Sequence, residues 1–375
     1  MAGLYIHIPF CKQRCTYCDF HTIIAPKQMP DLVESLMREM HLRKDYLKNE
    51  RIETIYFGGG TPSLLTPTMF QQIFSTIYEL FSVDENAEIT FEANPDDINP
   101  DYLKDSSALP FNRISMGIQS FDDVDLKAVN RRHTASQAIE AVKNAQNAGF
   151  NNISIDLIYG LPNQTLTSWQ KQIEQALSLN VQHISVYGLT FEKGTKLWRQ
   201  RENAELEAID DDTMNDMYDL LLKTMDENGF EAYEISNFAK PGFRSRHNSA
   251  YWKLNPYLGI GPSAHSYDGD SRQWNVSSNT KYIRAIRDNK EYFEREILTT
   301  NENYNDYVMI SLRTREGADL DFIENTYGVS YLNNCLQSAD KYILNEMLIV
   351  DGNYLKFSKK GIQLSNIVIS DLMQV

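Results

Sequence analysis

Between residues 4 and 189 the chain alternates six short β-like runs with longer stretches of helical periodicity. No other feature of its 375 residues restricts the fold as much. The runs cover residues 4–8, 54–57, 88–92, 113–117, 153–159 and 183–189, and helical stretches at 32–47, 69–80, 135–148 and 169–179 repeat their apolar residues at three- and four-residue spacing. Strand followed by helix predicts βαβ units and a parallel sheet. Six such units make an open sheet or a partial (β/α)6 barrel. Right-handed crossovers then collect the loop after every strand at one edge, where α/β proteins bind ligands.

Those loops carry more than turn residues. After the first run come Cys11, Cys15 and Cys18; after the second, Gly58-Gly59-Gly60-Thr61-Pro62-Ser63; after the third, Glu92-Ala93-Asn94-Pro95. The fourth leads into Gly117-Ile118-Gln119-Ser120, the fifth into Tyr159-Gly160-Leu161-Pro162, and the sixth into Leu189-Thr190-Phe191-Glu192. A turn needs Gly or Pro but not Glu, Gln and Cys as well, so the convergence points to a binding site. Three soft thiols in a C-x3-C-x2-C run on one tight loop suit iron–sulfur ligation and leave one iron of a cubane open. The alternatives are a zinc site completed by His7 or His21, or three unliganded thiols, and tetrahedral zinc's usual paired spacing speaks against the first. A Gly triplet after a strand lets a ligand approach the backbone, although a turn alone would also use it. Glu92 and Gln119 can meet hydroxyl groups, and Asp156 and Arg131 can hold polar or charged parts of a ligand. Each taken singly is equally a cap or a surface ion pair.

The cysteine spacing after a first strand resembles the radical S-adenosylmethionine (SAM) superfamily. That resemblance implies a partial β/α barrel, a [4Fe–4S] cluster on Cys11, Cys15 and Cys18, an electron donor for it, and SAM on the open iron. Further runs narrow it: Tyr5-x-His7-Ile8-Pro9-Phe10-Cys11, the GGGTP run, Glu92-x-Asn94-Pro95, Ser115-x-Gly117-x-Gln119-Ser120-Phe121 and Asp156 through Pro162. Together they resemble the oxygen-independent coproporphyrinogen III oxidase family, including its heme-chaperone branch. Motif by motif, the resemblance implies SAM contacts at Tyr5, Tyr17, Gly59, Gly60, Thr61, Glu92, Gln119, Arg131 and Asp156. Asn130 stands where many relatives have Gly, and two arginines follow it, so Arg131 and Arg132 compete for the contact.

Three features separate carrier from oxidase within that family. The oxidase has a further cysteine two residues after the third ligand, where this chain has Phe20, and a substantial N-terminal extension, whereas this chain enters its first strand at Leu4. His247-Asn248-Ser249-Ala250-Tyr251-Trp252 fits the H-N-x-x-Y-W motif of the chaperones. A neutral His247 can ligate heme iron axially, Tyr251 and Trp252 offer flat area to a porphyrin face, and Arg244 and Arg246 can meet propionates. On the residues alone a satisfied core histidine beside ordinary aromatics is the commoner arrangement; the resemblance reverses that order. His265 lies in a loop that can face either ligand, His41 belongs on a solvated helix face, and Cys335 is a small buried hydrophobe.

The expected function is a carrier that binds heme and transfers it to an acceptor protein, a membrane respiratory protein being one kind. The alternative is the oxidase, which decarboxylates propionates of coproporphyrinogen III; whether the chain is an enzyme stays open. Thirty-six Lys and Arg against 51 Asp and Glu leave a net charge of −15, which argues against nucleic acid as partner. No apolar run of spanning length and no signal-peptide pattern occur, so the expected location is the cytoplasm. Residues 1–200 are expected to form the barrel with the cluster and SAM site. Residues 201–289 extend it with the His and aromatic motif, and residues 290–375 form a mostly helical domain that includes a β pair turned at Asp351-Gly352, with the winged helix as one candidate form.

Overall fold

Strand residues in the first half alternate in kind. Leu4, Ile6, Ile8, Ile55, Phe57, Ile114, Met116, Ile155 and Leu157 are fully buried in one apolar core, while their neighbours Tyr5, Thr54, Tyr56, Arg113, Ser115, Ser154 and Asp156 meet one another on the opposite face. Successive side chains of a strand point to opposite faces, so the sheet carries an oily outer surface for helices and a polar inner one.

The computed structural model describes residues 2–374. Its first part runs β1 (Ala2–Ile8), α1 (Met29–Arg43), β2 (Ile52–Gly59), α2 (Pro67–Leu80), β3 (Val83–Ala93), α3 (Pro100–Asp105), β4 (Arg113–Gln119), α4 (Asp123–Ala128), α5 (Ala135–Asn147), β5 (Ile153–Tyr159), α6 (Leu166–Ser178) and β6 (His183–Gly188). Then come α7 (Lys196–Glu202), α8 (Asp211–Glu227), β7 (Glu231–Ala232), β8 (Asn237–Ala239), α9 (Arg246–Trp252), β9 (Tyr257–Ile260), β10 (His265–Tyr267), β11 (Ser271–Asn275), α10 (Asn279–Arg287) and β12 (Phe293–Ile297). The last part is α11 (Thr300–Ser311), β13 (Ala318–Asp319), α12 (Leu320–Tyr327), α13 (Val329–Leu344), β14 (Leu348–Asp351), β15 (Tyr354–Phe357), α14 (Lys359–Ile362) and α15 (Ser365–Leu372).

Twelve strands form one sheet in the order β12-β11-β10-β9-β1-β2-β3-β4-β5-β6-β8-β7. Strands β1 to β6 pair in parallel in sequence order, the partial β/α barrel expected from the alternation. A seventh parallel strand, β9, lies on the other side of β1 with Gly3 opposite Tyr257. Four residues are too few to show a period, which is why the sequence left this stretch irregular. The expected helix at 32–47 starts earlier, at Met29, and stops at Arg43, and the short helices α3 and α4 were not anticipated. Helix starts are well signalled: Thr66, Thr134 and Thr165 each accept the N–H three residues on, and the latter two complete capping boxes.

Residues from Tyr304 to Leu372 bury a separate core around Val308, Ile323, Cys335, Ala339, Leu355 and Val368. Its elements run helix, strand, two helices and two strands, with the sheet ordered β13-β15-β14.

Candidate functional site

The cysteine loop leaves β1 at Ile8 and is tied down at both ends. Cys11 N–H donates to Ile23 O at 3.0 Å, and Ile23 N–H to Pro9 O at 2.7 Å. Cys11, Cys15 and Cys18 are half-buried free thiols. Thr61 Oγ1 donates to Cys11 Sγ at 3.4 Å, and Arg131 Nη1 donates to Cys15 Sγ at 3.3 Å. Asn94 joins these two supports, its Nδ2 donating to Thr61 Oγ1 at 3.1 Å and its Oδ1 accepting from Arg131 Nη2 at 2.7 Å. The sequence flagged Asn94 only as part of a motif; its bridging role needed three loops in place. Burial pushes the Cys11 thiol up and the Cys18 thiol up to about 11, so these sulfurs become thiolates when a metal displaces their protons.

Arg131 and Arg132 part company here. Arg131 turns inward to Cys15, Asn94 and the Gly117 carbonyl, whereas Arg132 pairs with Asp96 and lies 3.9 Å from Asp97. Asn130 before them has φ +60°, a left-handed backbone that Asn tolerates, which accounts for Asn in place of Gly. Tyr17 packs beside Val129, Ile158 and Leu161, next to Cys15 and Arg131. His7 and His21 do not turn toward the thiols. His7 bonds with Tyr5 Oη at 3.0 Å and the His21 carbonyl at 3.2 Å, and His21 with Asn279 Oδ1 at 2.8 Å. Among the described residues no three His, Cys, Asp or Glu side chains converge as ligands of a single ion do. Three thiols on one loop, two of them receiving hydrogen bonds, fit a cluster whose thiolates bind separate irons.

The Gly triplet serves packing as well as openness. Gly59 has φ +106°, and a Cβ there would strike the His7 ring; at Gly60 it would lie 2.6 Å from Phe10 O and 2.8 Å from Ile8 O. The close approach expected of a ligand is therefore made first by β1 and the start of the cysteine loop.

Inside the barrel, Glu92 accepts from Tyr56 Oη at 2.8 Å and Gly59 N–H at 3.1 Å, and Asp156 accepts from Ser115 Oγ at 3.4 Å. Burial pushes Glu92 up to about 7 and Asp156 up to about 6, with the Arg113 guanidinium pulling both back. Arg113, only 2% exposed, went unnoticed in the sequence because it opens a strand like any solvated arginine; its Nε has no partner among the described residues. Gln119 sits at a bulge with φ +70°, an uncommon backbone for a residue with a side chain, at the mouth of the same cavity. Two buried carboxylates with raised pKa values suit hydroxyl donors or a cation. Phe20 stands at the loop's end, 65% exposed.

The H-N-x-x-Y-W residues form α9, at the opposite end of the barrel from the cysteines. His247 is 2% exposed, and both ring nitrogens are occupied: Nδ1 bonds with Thr54 Oγ1 at 2.8 Å and Nε2 with Tyr251 Oη at 2.9 Å. Its ring stacks on Tyr56 at 4.9 Å, and burial, with Arg113 nearby, lowers it to about 3, so it is neutral. The imidazole thus sits as a satisfied interior group with no free nitrogen. Arg244 pairs with Glu231 and Glu316, and Arg246 with Glu53. His41 is exposed on α1, and Cys335 is fully buried in the C-terminal core.

The chain is similar to known proteins along nearly its whole length. The sequence model of the Radical SAM superfamily matches residues 5–176. The chain is 33% identical to heme chaperone HemW of Lactococcus lactis subsp. lactis (strain IL1403) over 98% of this chain and 96% of that protein. It is 34% identical to heme chaperone HemW of Bacillus subtilis (strain 168) over 93% of each. The solved structure of coproporphyrinogen III oxidase (HemN) from Escherichia coli, a radical SAM enzyme, superposes with a TM-score of 0.87 at 24% identity, covering 100% of this chain and 90% of that one, and shares the fold.

Proposed function

The chain belongs to the HemW family of the radical SAM superfamily, and from that premise we propose that it is a carrier that binds heme and passes it to an acceptor protein. The observation that carries this reading is the match to curated heme chaperones along nearly the whole of both chains. Phe20, where the oxidase has a further cysteine, supports it.

A [4Fe–4S] cluster on Cys11, Cys15 and Cys18, with SAM beside it, belongs to the same proposal. When bound, the pair supplies one-electron reductive cleavage of a sulfonium. Thr61 and Arg131 aim donors at sulfur and so favour the thiolate form. SAM would be held by the backbone of Gly59, Gly60 and Thr61 at its methionine end and by Glu92 and Gln119 at its ribose, with Tyr5, Tyr17, Arg131 and Asp156 as its further contacts. On the heme side Trp252 offers a flat face, and His247, held neutral by burial, reaches iron only once Tyr251 releases its Nε2. The three-part division at residues 200 and 289 is part of this reading.

Purified protein, reconstituted anaerobically, tests it. Heme retained through gel filtration, with no decarboxylated product from coproporphyrinogen III in the presence of SAM and a reductant, is the expected result. Formation of protoporphyrinogen IX under those conditions would move the function to the oxidase. Replacing the three cysteines by Ala should remove iron and sulfide, and unchanged iron content would sink the cluster assignment.

A further inference from the structure

A cleft of about 680 Å³ opens beneath the barrel, between α9, the first residues of β1 and β2, and the C-terminal domain. It lies within the size range of about 300–1,000 Å³ typical of small-ligand sites. Its walls combine Trp252 at the end of α9 and Lys253 just after it with Tyr307, Phe322 and Tyr354 from the C-terminal domain, and Thr54 lines it as well.

Three observations say what such a cleft takes. Phe322 and Tyr354 are each 39% exposed, and Phe322 packs against Tyr307 with ring centroids 4.5 Å apart, so flat apolar area faces the opening. The Trp252 Nε1 is buried without a hydrogen-bond partner among the described residues, a cost that a bound acceptor would relieve. Its charged lining is mostly matched internally: Arg244 pairs with Glu316, Arg246 with Glu53, and Asp319 accepts from Asn353 Nδ2. Lys253 is the exception, exposed and without a side-chain hydrogen bond or ion pair among the described residues, although Glu316 lies within electrostatic reach. Aromatic walls, one spare donor and one spare cation describe a large flat ring system with an anionic edge.

We propose that this cleft binds the porphyrin of heme, with Phe322, Tyr354 and Trp252 against the ring and Lys253 at a propionate; the proposal rests on the carrier reading and adds the C-terminal domain to the heme site. The cleft contains no histidine. His247 stands one side chain behind its lining, bonded to Thr54. Ring recognition here is thus separable from iron ligation, and metal-free protoporphyrin IX binds by the same contacts. The cleft lies at the start of β1 and the cysteine loop at its end, seven residues apart, or about 20 Å at strand rise. Heme here leaves the SAM side of the barrel clear.

Titration of the full-length protein with heme and with protoporphyrin IX tests this, by Soret absorbance and porphyrin fluorescence. Phe322→Ala with Tyr354→Ala should weaken both ligands at least tenfold, since each aromatic contact adds to the buried area it supplies. Lys253→Glu, an exposed substitution that leaves the fold alone, should weaken both severalfold, more at low salt. Unchanged affinity for both porphyrins in the double variant and in Lys253→Glu would overturn the assignment while leaving the carrier reading intact. Failure of the unaltered protein to bind either porphyrin would overturn both. If the substitutions instead broke up a dimer and left porphyrin affinity unchanged, the cleft would be an interface between copies and the proposal would fall.

Discussion

Replacing Gly60 by Ala separates two explanations of the glycine triplet. If the glycines serve only ligand approach, the ligand-free protein should tolerate a methyl group. The structure says otherwise, because the new Cβ would stand 2.6 Å from Phe10 O, 2.8 Å from Ile8 O and 2.9 Å from Phe10 N, all well inside the contact distance of about 3.5 Å. These are backbone atoms, and no rotamer change removes them. The surrounding chain is pinned as well: Gly60 N–H donates to Ile8 O at 2.8 Å, and the cysteine loop is closed by the paired bonds between Pro9, Cys11 and Ile23. Overpacking of this kind costs about 1–3 kcal/mol, and a strained or broken loop hydrogen bond adds about 1 kcal/mol. A total near 3 kcal/mol corresponds to a melting temperature lower by roughly 4 °C for a chain of this length. Since relief comes most easily by moving Phe10, Cys11 should move too, and cluster loading should fall before SAM is ever added. The assay is thermal melting of the ligand-free protein with iron and sulfide content after anaerobic reconstitution. Gly149→Ala is the control, a position with positive φ and open space around it. An unaltered melt and full iron loading in Gly60→Ala, with only SAM binding lost, would refute the steric account.

Three further outcomes follow from the barrel interior. Glu92 and Asp156 hold their protons more tightly folded than unfolded, so their contribution to stability is complete below the usual carboxyl range and is lost as pH rises through about 6 and 7. The ligand-free protein should therefore lose melting temperature between about pH 4 and 7, Glu92→Gln should flatten that slope, and an equal slope in the variant would refute it. Glu92→Ala should also weaken SAM binding by about 1–3 kcal/mol, measured calorimetrically. His247→Ala strands Thr54 and Tyr251 in the interior, so the melt should fall by the equivalent of about 2–4 kcal/mol alongside any change in the Soret band. A Soret change with no loss of stability would contradict the placement of His247 described above.

How much of this was legible beforehand follows the range of the interactions. The six strands and the loop bearing Cys11, Cys15 and Cys18 are encoded by neighbours within a few residues, where periods of two and 3.6 and turn chemistry operate. The shared loop edge was legible too, because right-handed crossovers leave it no other place. Whether Arg131 or Arg132 enters the site was not, since adjacent residues of one type differ only in what the fold sets opposite them: Asn94, 37 residues away, for one, and Asp96 for the other. Strand β9 is too short to announce itself and exists because β1 offers it a free edge. His247 shows the limit most plainly. Its motif signals a special histidine, yet its burial against Thr54, 193 residues earlier in the chain, is decided by barrel closure, as are the cleft between α9 and the C-terminal domain and the placement of the buried cation Arg113 near Glu92 and Asp156. Local sequence sets which face a residue turns outward from its own element; what stands across from that face is settled only when distant elements pack, because contact energy depends on distance in space and not on distance along the chain.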